Sequence, residues 1–285
     1  MRTLLTSPNS LNNSSCMQYF MYDKLVEAAP ERKKDYLEKG DLIHSMLEPY
    51  YKMKMLPVEE RPPHAIMIER AIDLGREKVI GMDLEIEVSE DEVIPTFREY
   101  CEFWQNDYEV PVAVEQPVVI ELYKREDTDD EEGVTVILEM IPDIIFENRQ
   151  GYRTWTDHKT RSRNQESIPL ANQFLAYAWA SGTKRAMRNN IGFQKTLPAE
   201  KKFTRDFFPY PQGVIDWWVG WSAYRAQFID ACIKAENFPP DFTKCGNYGG
   251  CTFTDVCMQS PDNRERFLNE NFIKRRRIRS IYDRR

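Results

Sequence analysis

Two β-type segments joined by one short turn constrain this chain more than anything else in it. The first, Val134 to Glu147, contains Ile141-Pro142-Asp143-Ile144-Ile145, and the second, Tyr152 to Thr160, contains Thr156-Asp157-His158-Lys159-Thr160. Asn148 to Gly151 is the turn between them. Side chains alternate along a strand, so Asp157 and Lys159 project to one side. Asp143 reaches that side across the hairpin. Two strand-borne carboxylates with a lysine beside them suit a divalent cation, which takes hard oxygen ligands and makes a bound water acidic. His158 points to the other side and leaves its backbone carbonyl as a further oxygen donor. The competing reading of Asp-x-Lys is a cross-strand ion pair without chemistry, which is worth little at a surface.

The hairpin sits in a changing texture. Residues 10–28, 40–55, 64–79 and 89–105 read as helices, with Gly40-Asp41 marking the start of the second and Pro62-Pro63 an elbow before the third. Val112 to Tyr123 reads as a strand, and the acidic stretch 124–133 as an exposed hairpin tip. After the Asp157 strand come a helix over 168–181, strands over 187–196 and 202–208, and a long helix over 211–237 carrying Trp217, Trp218 and Trp221. The tail from Phe238 reads as loop, ending in a basic segment from Lys274 to Arg285. Strands, a helix and further strands imply an α/β fold with a central mixed β-sheet flanked by helices. The expected organisation is a helical region over 1–110, a core over 111–237, and a cysteine loop with a basic tail over 238–285, integrated as one domain.

Charge is unevenly placed. The net charge is −7, yet residues 85–147 hold 20 acidic and 3 basic side chains while 148–207 hold 4 acidic and 12 basic. A local positive field can therefore exist inside an acidic protein, beside the proposed metal site. The basic stretch, including Arg153, Lys159, Arg161, Arg163, Arg188 and Arg205, reads as a surface that tracks phosphates. No apolar run approaches a membrane span, and Met1 to Pro8 is too short and polar for a secretory signal. A reducing cytosol is the expected setting, where six cysteines hold metal or stay free.

The wider order of motifs carries a resemblance. Gly40-Asp41-Leu42-Ile43-His44-Ser45-Met46-Leu47-Glu48 is followed by Pro142-Asp143, by Asp157-His158-Lys159-Thr160, and by Gln173 with Tyr177 four residues on. This order resembles the RecB-like branch of the PD-(D/E)xK nuclease superfamily, which includes phage exonucleases and CRISPR-adaptation nucleases. The resemblance implies a restriction-endonuclease-like core and a metal-dependent DNA exonuclease that acts on ends or single strands in recombination, repair or replication. It implies that His44, Asp143 and Asp157 bind Mg2+ or Mn2+, that Lys159 is catalytic, and that Gln173 and Tyr177 position DNA or the bound water. A helicase or recombination partner is compatible with it. The chain departs from the family where Gly-x-x-Asp is common, since Met140-Ile141-Pro142-Asp143 stands there. Glu115 reads as structural or supporting and not as a ligand.

Cys245, Cys251 and Cys257 lie in a glycine- and aromatic-rich loop, and Cys16 supplies a fourth thiol near the N-terminus. Four thiolates suit an iron–sulfur cluster or a zinc ion. The resemblance favours a 4Fe-4S cluster, since iron–sulfur members place one cysteine before the nuclease core and three after it. Both gaps here are five residues, unlike the Cys-x2-Cys that commonly opens the final trio, so zinc stays open. Cys101 and Cys232 read as buried thiols in helices.

Overall fold

A computed structural model describes residues 2–30, 35–80, 90–129, 132–161, 169–246 and 250–274. The basic tail beyond Lys274, Arg163, and the expected helix starts at Ser89 and Ile168 lie outside the described residues. In chain order the elements are β1 (Arg2–Thr6), α1 (Pro8–Asn13), α2 (Met17–Phe20), β2 (Ala28–Pro30), α3 (Asp35–Lys54), α4 (His64–Ile80) and α5 (Glu90–Phe103). Then follow β3 (Val110–Val114), β4 (Val118–Arg125), β5 (Val134–Met140), β6 (Ile144–Glu147), β7 (Arg153–Arg161), α6 (Asn172–Ala180) and β8 (Arg185–Gly192). The chain continues with α7 (Ala199–Lys202), β9 (Phe203–Pro209), α8 (Gln212–Lys234), α9 (Thr254–Cys257), α10 (Pro261–Asn271) and β10 (Phe272–Lys274). These elements fall into two compact units.

The first unit comprises Lys34–Val118 and Met140–Asp216. Its five-stranded sheet runs β3-β6-β7-β8-β9. Only the β7–β8 pair is parallel; the other three pairs are antiparallel. Parallel neighbours need a crossover, and α6 lies within the one between β7 and β8. The expected α/β architecture with a mixed sheet flanked by helices is the one observed.

Helices α3, α4 and α5 form an apolar core with one sheet face. On α3, Leu42, Ile43, Met46, Leu47, Tyr50 and Tyr51 are buried at intervals of three and four residues, which is one helix stripe. They join Ile68, Ala71 and Ile72 of α4, Val93, Phe97 and Tyr100 of α5, and Ile144, Phe146, Met187, Ile191 and Phe203 of the sheet. Each large apolar side chain so buried contributes roughly 1.5–3 kcal/mol. On the opposite face, α6 lays Phe174 against Phe208 and Tyr177 against Trp155, with ring centroids 4.9 and 5.9 Å apart.

Helices α3 and α4 touch at Gly75, whose missing side chain matters. A Cβ there would stand 3.1 Å from the backbone N and Cα of Met46 and closer still to its side chain. Ser45 Oγ ties the same spot, donating to Gly75 O at 3.1 Å. Gly75→Ala is expected to destabilise the protein by about 1–2 kcal/mol, measured by urea unfolding. Overpacking costs roughly 1–3 kcal/mol, and alanine's better helix propensity returns only about 1 kcal/mol.

The second unit comprises Met1–Lys33, Val119–Glu139 and Trp217–Arg285. It holds a three-stranded sheet, β1-β5-β4, in which β1 pairs parallel with β5, and an antiparallel β2–β10 ribbon. Tyr22, Ala28, Phe253, Val256 and Leu268 make a small core, with Tyr19, Cys251, Cys257 and Phe272 packed on it. Trp218 of α8 is buried as a core residue, while Trp217 is exposed.

Several sequence expectations are corrected. The strand expected over 112–123 is two strands, broken at Glu115-Gln116-Pro117, and the one over 134–147 breaks at Ile141-Pro142-Asp143. Proline brings no N–H to a ladder, so each break falls where pairing must stop. The single helix expected over 10–28 is α1 and α2 with a π-helical turn from Met21 to Leu25. The tail expected as loop contains α9 and α10, the latter opened by Ser260 with Pro261 in its first turn. The phosphate-tracking surface loses two members to structural pairing. Arg205 is buried against Asp107, and Lys202 is buried against Glu99.

Candidate functional site

The first unit brings six of the expected residues together. The β6–β7 register pairs Ile144 with Thr156, and one further step sets Asp143 opposite Asp157. The break before β6 frees Asp143 from the ladder, and its Oδ2 accepts the backbone N–H of His158 at 2.6 Å. From α3, His44 Nδ1 reaches the same oxygen at 3.4 Å. Lys159 Nζ lies 2.6 Å from Asp157 Oδ2. From α6, Gln173 Nε2 donates to Asp157 Oδ1 and to Tyr177 Oη, at 2.5 and 3.0 Å. Tyr177 Oη in turn donates to Ile141 O at 3.3 Å. Gln173 and Tyr177 are four apart on α6 and so share a face.

His158 sends its ring to the opposite side of β7, as strand alternation requires. There it stacks on Tyr51, centroids 5.7 Å apart, and its Nδ1 meets Asn189 Nδ2 at 2.8 Å. Burial pushes its pKa down to about 3, the charge of Asp143 opposing only in part, so the imidazole is neutral. His158 thus braces the back of the sheet, while its N–H orients Asp143.

Electrostatics sharpen this picture. Burial raises Asp157, the charge of Asp143 raises it further, and Lys159 opposes both. Asp143 is lowered: burial works against it, but the charge of His44 and then its hydrogen bond outweigh that, helped by His158 N–H. The two acids titrate as a pair in which Asp143 is the stronger. Burial would lower His44, but Asp143 beside it and Asp157 beyond raise it to about 9. Burial and then the charges of Asp157 and Asp143 hold the Tyr177 phenol well above its usual range, so it stays an O–H donor.

Two further acids join the site: Glu115, which the sequence reads as structural or supporting, and Glu48, to which it gives no role. Glu115 is driven up to about 7 by burial first, then by the charges of Asp143 and Glu48. Its backbone holds φ of +48°, a left-handed conformation that a non-glycine residue adopts at a cost and mostly at functional positions. Its N–H donates to Asp143 O at 3.1 Å. Glu48 lies four residues after His44 on α3 and is lowered, because hydrogen bonds from Lys52 and Lys78 outweigh its burial. The signals were present: Glu115 interrupts an apolar strand just before a proline, and Glu48 sits one helical turn from His44.

This donor set fits a hard divalent ion in kind. Asp157 Oδ2 is buried, with the Lys159 ammonium 2.6 Å away as its partner. Facing carboxylates with an imidazole are ligands for Mg2+ or Mn2+. Here they are paired internally, His44 with Asp143 and Lys159 with Asp157. Among the described residues, no three His, Cys, Asp or Glu side chains close around a common point as ligands do. Beside Trp155 opens a cleft of about 370 Å³, lined by Gln116, Tyr152, Arg153, Ser181 and Thr183 among others.

In the second unit, Cys16, Cys245, Cys251 and Cys257 are all partly exposed free thiols. Burial raises the Cys251 and Cys257 thiols first, and the charges of the other cysteines raise them further, so the four stand near one another. Cys251 N–H donates to Cys245 O at 2.8 Å and closes the loop. Cys16 precedes α2 as its N-cap residue. Cys101 and Cys232 are buried, as expected of structural thiols. Among the described residues no helix is long and apolar enough to cross a membrane.

Comparison with known proteins adds a family. The sequence pattern of the PD-(D/E)XK nuclease superfamily matches residues 7–258. Among solved structures, that of SSO0001 is 13% identical, with 88% of this chain and 94% of that chain covered and a TM-score of 0.33. The structure of LHK-Exo in complex with dAMP is 10% identical, with 70% and 95% covered and a TM-score of 0.32. No curated protein matches the chain.

Proposed function

The chain belongs to the PD-(D/E)XK nuclease superfamily, and from that premise we propose that it is a divalent-metal-dependent DNA exonuclease of the RecB-like branch. The observation that supports it most is the meeting of Asp143, Asp157 and Lys159 at one sheet position, with His44 and Gln173 closing on them. His44, Asp143 and Asp157 would hold Mg2+ or Mn2+. When bound, such an ion supplies an acidified water and offsets charge on the attacked phosphate.

The chain's own residues do the rest. Gln173 fixes the Asp157 carboxylate by donating to Oδ1, which leaves Oδ2 facing Lys159. Tyr177 Oη accepts from Gln173 in turn, and the raised pKa of the phenol keeps it a donor to Ile141 O, which fixes the ring at working pH. Lys159 is 41% exposed at its side chain, so its ammonium can leave Asp157 for a substrate phosphate and stabilise the charge that develops there.

Cys16, Cys245, Cys251 and Cys257 would hold a 4Fe-4S cluster, with zinc the alternative. Four sulfur donors fit both groups. Iron and acid-labile sulfide in a brown purified protein support the cluster; one zinc per chain in a colourless protein replaces it. A cytoplasmic setting, that of the host if the chain is phage-encoded, and a recombination or helicase partner are part of the same proposal.

The test is digestion of end-labelled blunt, recessed and single-stranded DNA with Mn2+, beside an Asp157→Ala control. Stepwise shortening from an end supports the proposal. Cutting of closed circles makes the protein an endonuclease. DNA binding without metal-dependent cleavage makes it a non-catalytic adaptor on the nuclease fold.

A further inference from the structure

On the sheet face that carries Asp157 and Lys159, two arginines make no ion pair among the described residues: Arg161, beyond Lys159, and Arg188, level with Asp157. Arg161 ends β7, and Arg188 lies on β8 in register with Asp157. Alternation along both strands therefore places Arg161 and Arg188 on the side that carries Asp157 and Lys159. Arg188 is 8% exposed, its Nε is buried without a hydrogen-bond partner, and among the described residues it has no salt bridge. Arg161 donates through Nη2 to Lys201 O and Thr204 Oγ1, at 3.0 and 3.2 Å, yet its Nε is also buried and unpartnered. Asp157 on β7 and Asp206 on β9 flank Arg188 in register, without an ion pair to it among the described residues, and Asp206 attracts Arg161. Asp206 Oδ2 already accepts from Asn190 Nδ2 at 2.8 Å. Burial and then the charge of Arg188 press Arg161 towards losing its proton, so the two cations feel each other.

Buried charge is ordinarily paired, because desolvation is costly. Each of these two guanidinium groups keeps an orphaned Nε–H although Asp157 and Asp206 flank Arg188, and the planar fork of arginine matches a phosphate. Strand rise places Arg161 about 7 Å beyond Lys159, within reach of the same substrate strand. We propose that Arg161 and Arg188 form a second phosphate site, which grips the backbone phosphate next to the scissile one. This site rests on the nuclease reading of Asp157 and Lys159 and extends it to a contact with the substrate strand.

The experiment measures binding of a fluorescent single-stranded oligonucleotide by anisotropy across a salt series. Arg188→Met and Arg161→Gln are compared with the parent, all in an Asp157→Asn background so that the probe survives. Each variant is expected to weaken affinity about tenfold, the worth of a charged hydrogen bond. Each should flatten the slope of log K against log salt by about 0.7, one phosphate contact on a single strand. Arg188→Met should also melt at the same temperature or higher, since it removes an unpaired buried charge. A lower melting temperature with unchanged affinity and slope would overturn the proposal and make Arg188 a structural cation. Should Arg188→Met fail to fold, the more exposed Arg161→Gln decides by its slope alone. Normal cleavage by the parent enzyme with unchanged slopes in both variants sinks this site alone. A parent protein that neither binds nor cuts DNA sinks the nuclease reading and this site with it.

Discussion

Asp157→Asn is expected to cut the rate of DNA hydrolysis roughly a thousandfold, the scale lost when one preorganised charged group is removed from an active centre. The same change is expected to raise the melting temperature. Asp157 is buried, its pKa is raised by burial and by Asp143, and its charge opposes that of its neighbour across the strands. Asparagine keeps the shape and the bond to Gln173 while removing that repulsion. Lys159 loses a partner, but at 41% side-chain exposure water replaces it cheaply. A gain of about 1 kcal/mol moves the midpoint of a unit this size by about 2–4 °C. Initial rates on end-labelled DNA and a circular-dichroism melt check both halves. Activity within tenfold of the parent, with a lower melting temperature, would make the acids structural and end the catalytic assignment. A site that sacrifices stability for chemistry is expected to give the opposite signs.

Asp107→Ala is expected to cost about 3–5 kcal/mol, which is the penalty for leaving one partner of a buried ion pair alone. Arg205 lies between the rings of Trp104 and Phe146, 3.8 and 4.8 Å from their centroids, and grips Asp107 with two nitrogens. The side chains are 4% and 2% exposed. Without Asp107, a guanidinium that stays protonated is left buried among aromatic rings without its ion-pair partner. The midpoint should fall by about 6–20 °C, read from the same melt. Arg98→Ala, which breaks the exposed Arg98–Glu69 pair, should change stability by less than about 1 kcal/mol. Equal effects from the two variants would refute this account of Arg205.

Much of the site was legible because it depends on local periodicity. A two-residue repeat places Asp157 and Lys159 together, a turn returns Asp143 beside them, and a four-residue step aligns Gln173 with Tyr177. What escaped was non-local or negative. Arg205 reads as one more basic residue in a basic stretch until Asp107, 98 positions earlier in the chain, proves to be its partner. Charge along a sequence says nothing about which cations the fold will consume. Glu115 was legible only as a structural or supporting acid, and the charges of Asp143 and Glu48 that act on it are non-local in the chain. The strand breaks at Pro117 and Pro142 were available in the sequence and were overridden by the apolar runs around them. The helices after Cys251 escaped because they are short and weakly patterned, although Ser260-Pro261 marks the start of one.

The strand order β3-β6-β7-β8-β9 leaves β7 at the centre of its sheet. Its backbone is bonded on both edges around Trp155 and Thr156, and the hydrogen bond from His158 N–H to Asp143 extends that restraint to the acids. Amides there should exchange with deuterated solvent only when the whole unit opens, last among those of the fold. A protein built this way has no hinge at its reactive atoms. Any rearrangement that admits a ligand must occur in what surrounds a rigid anvil, never in the anvil itself.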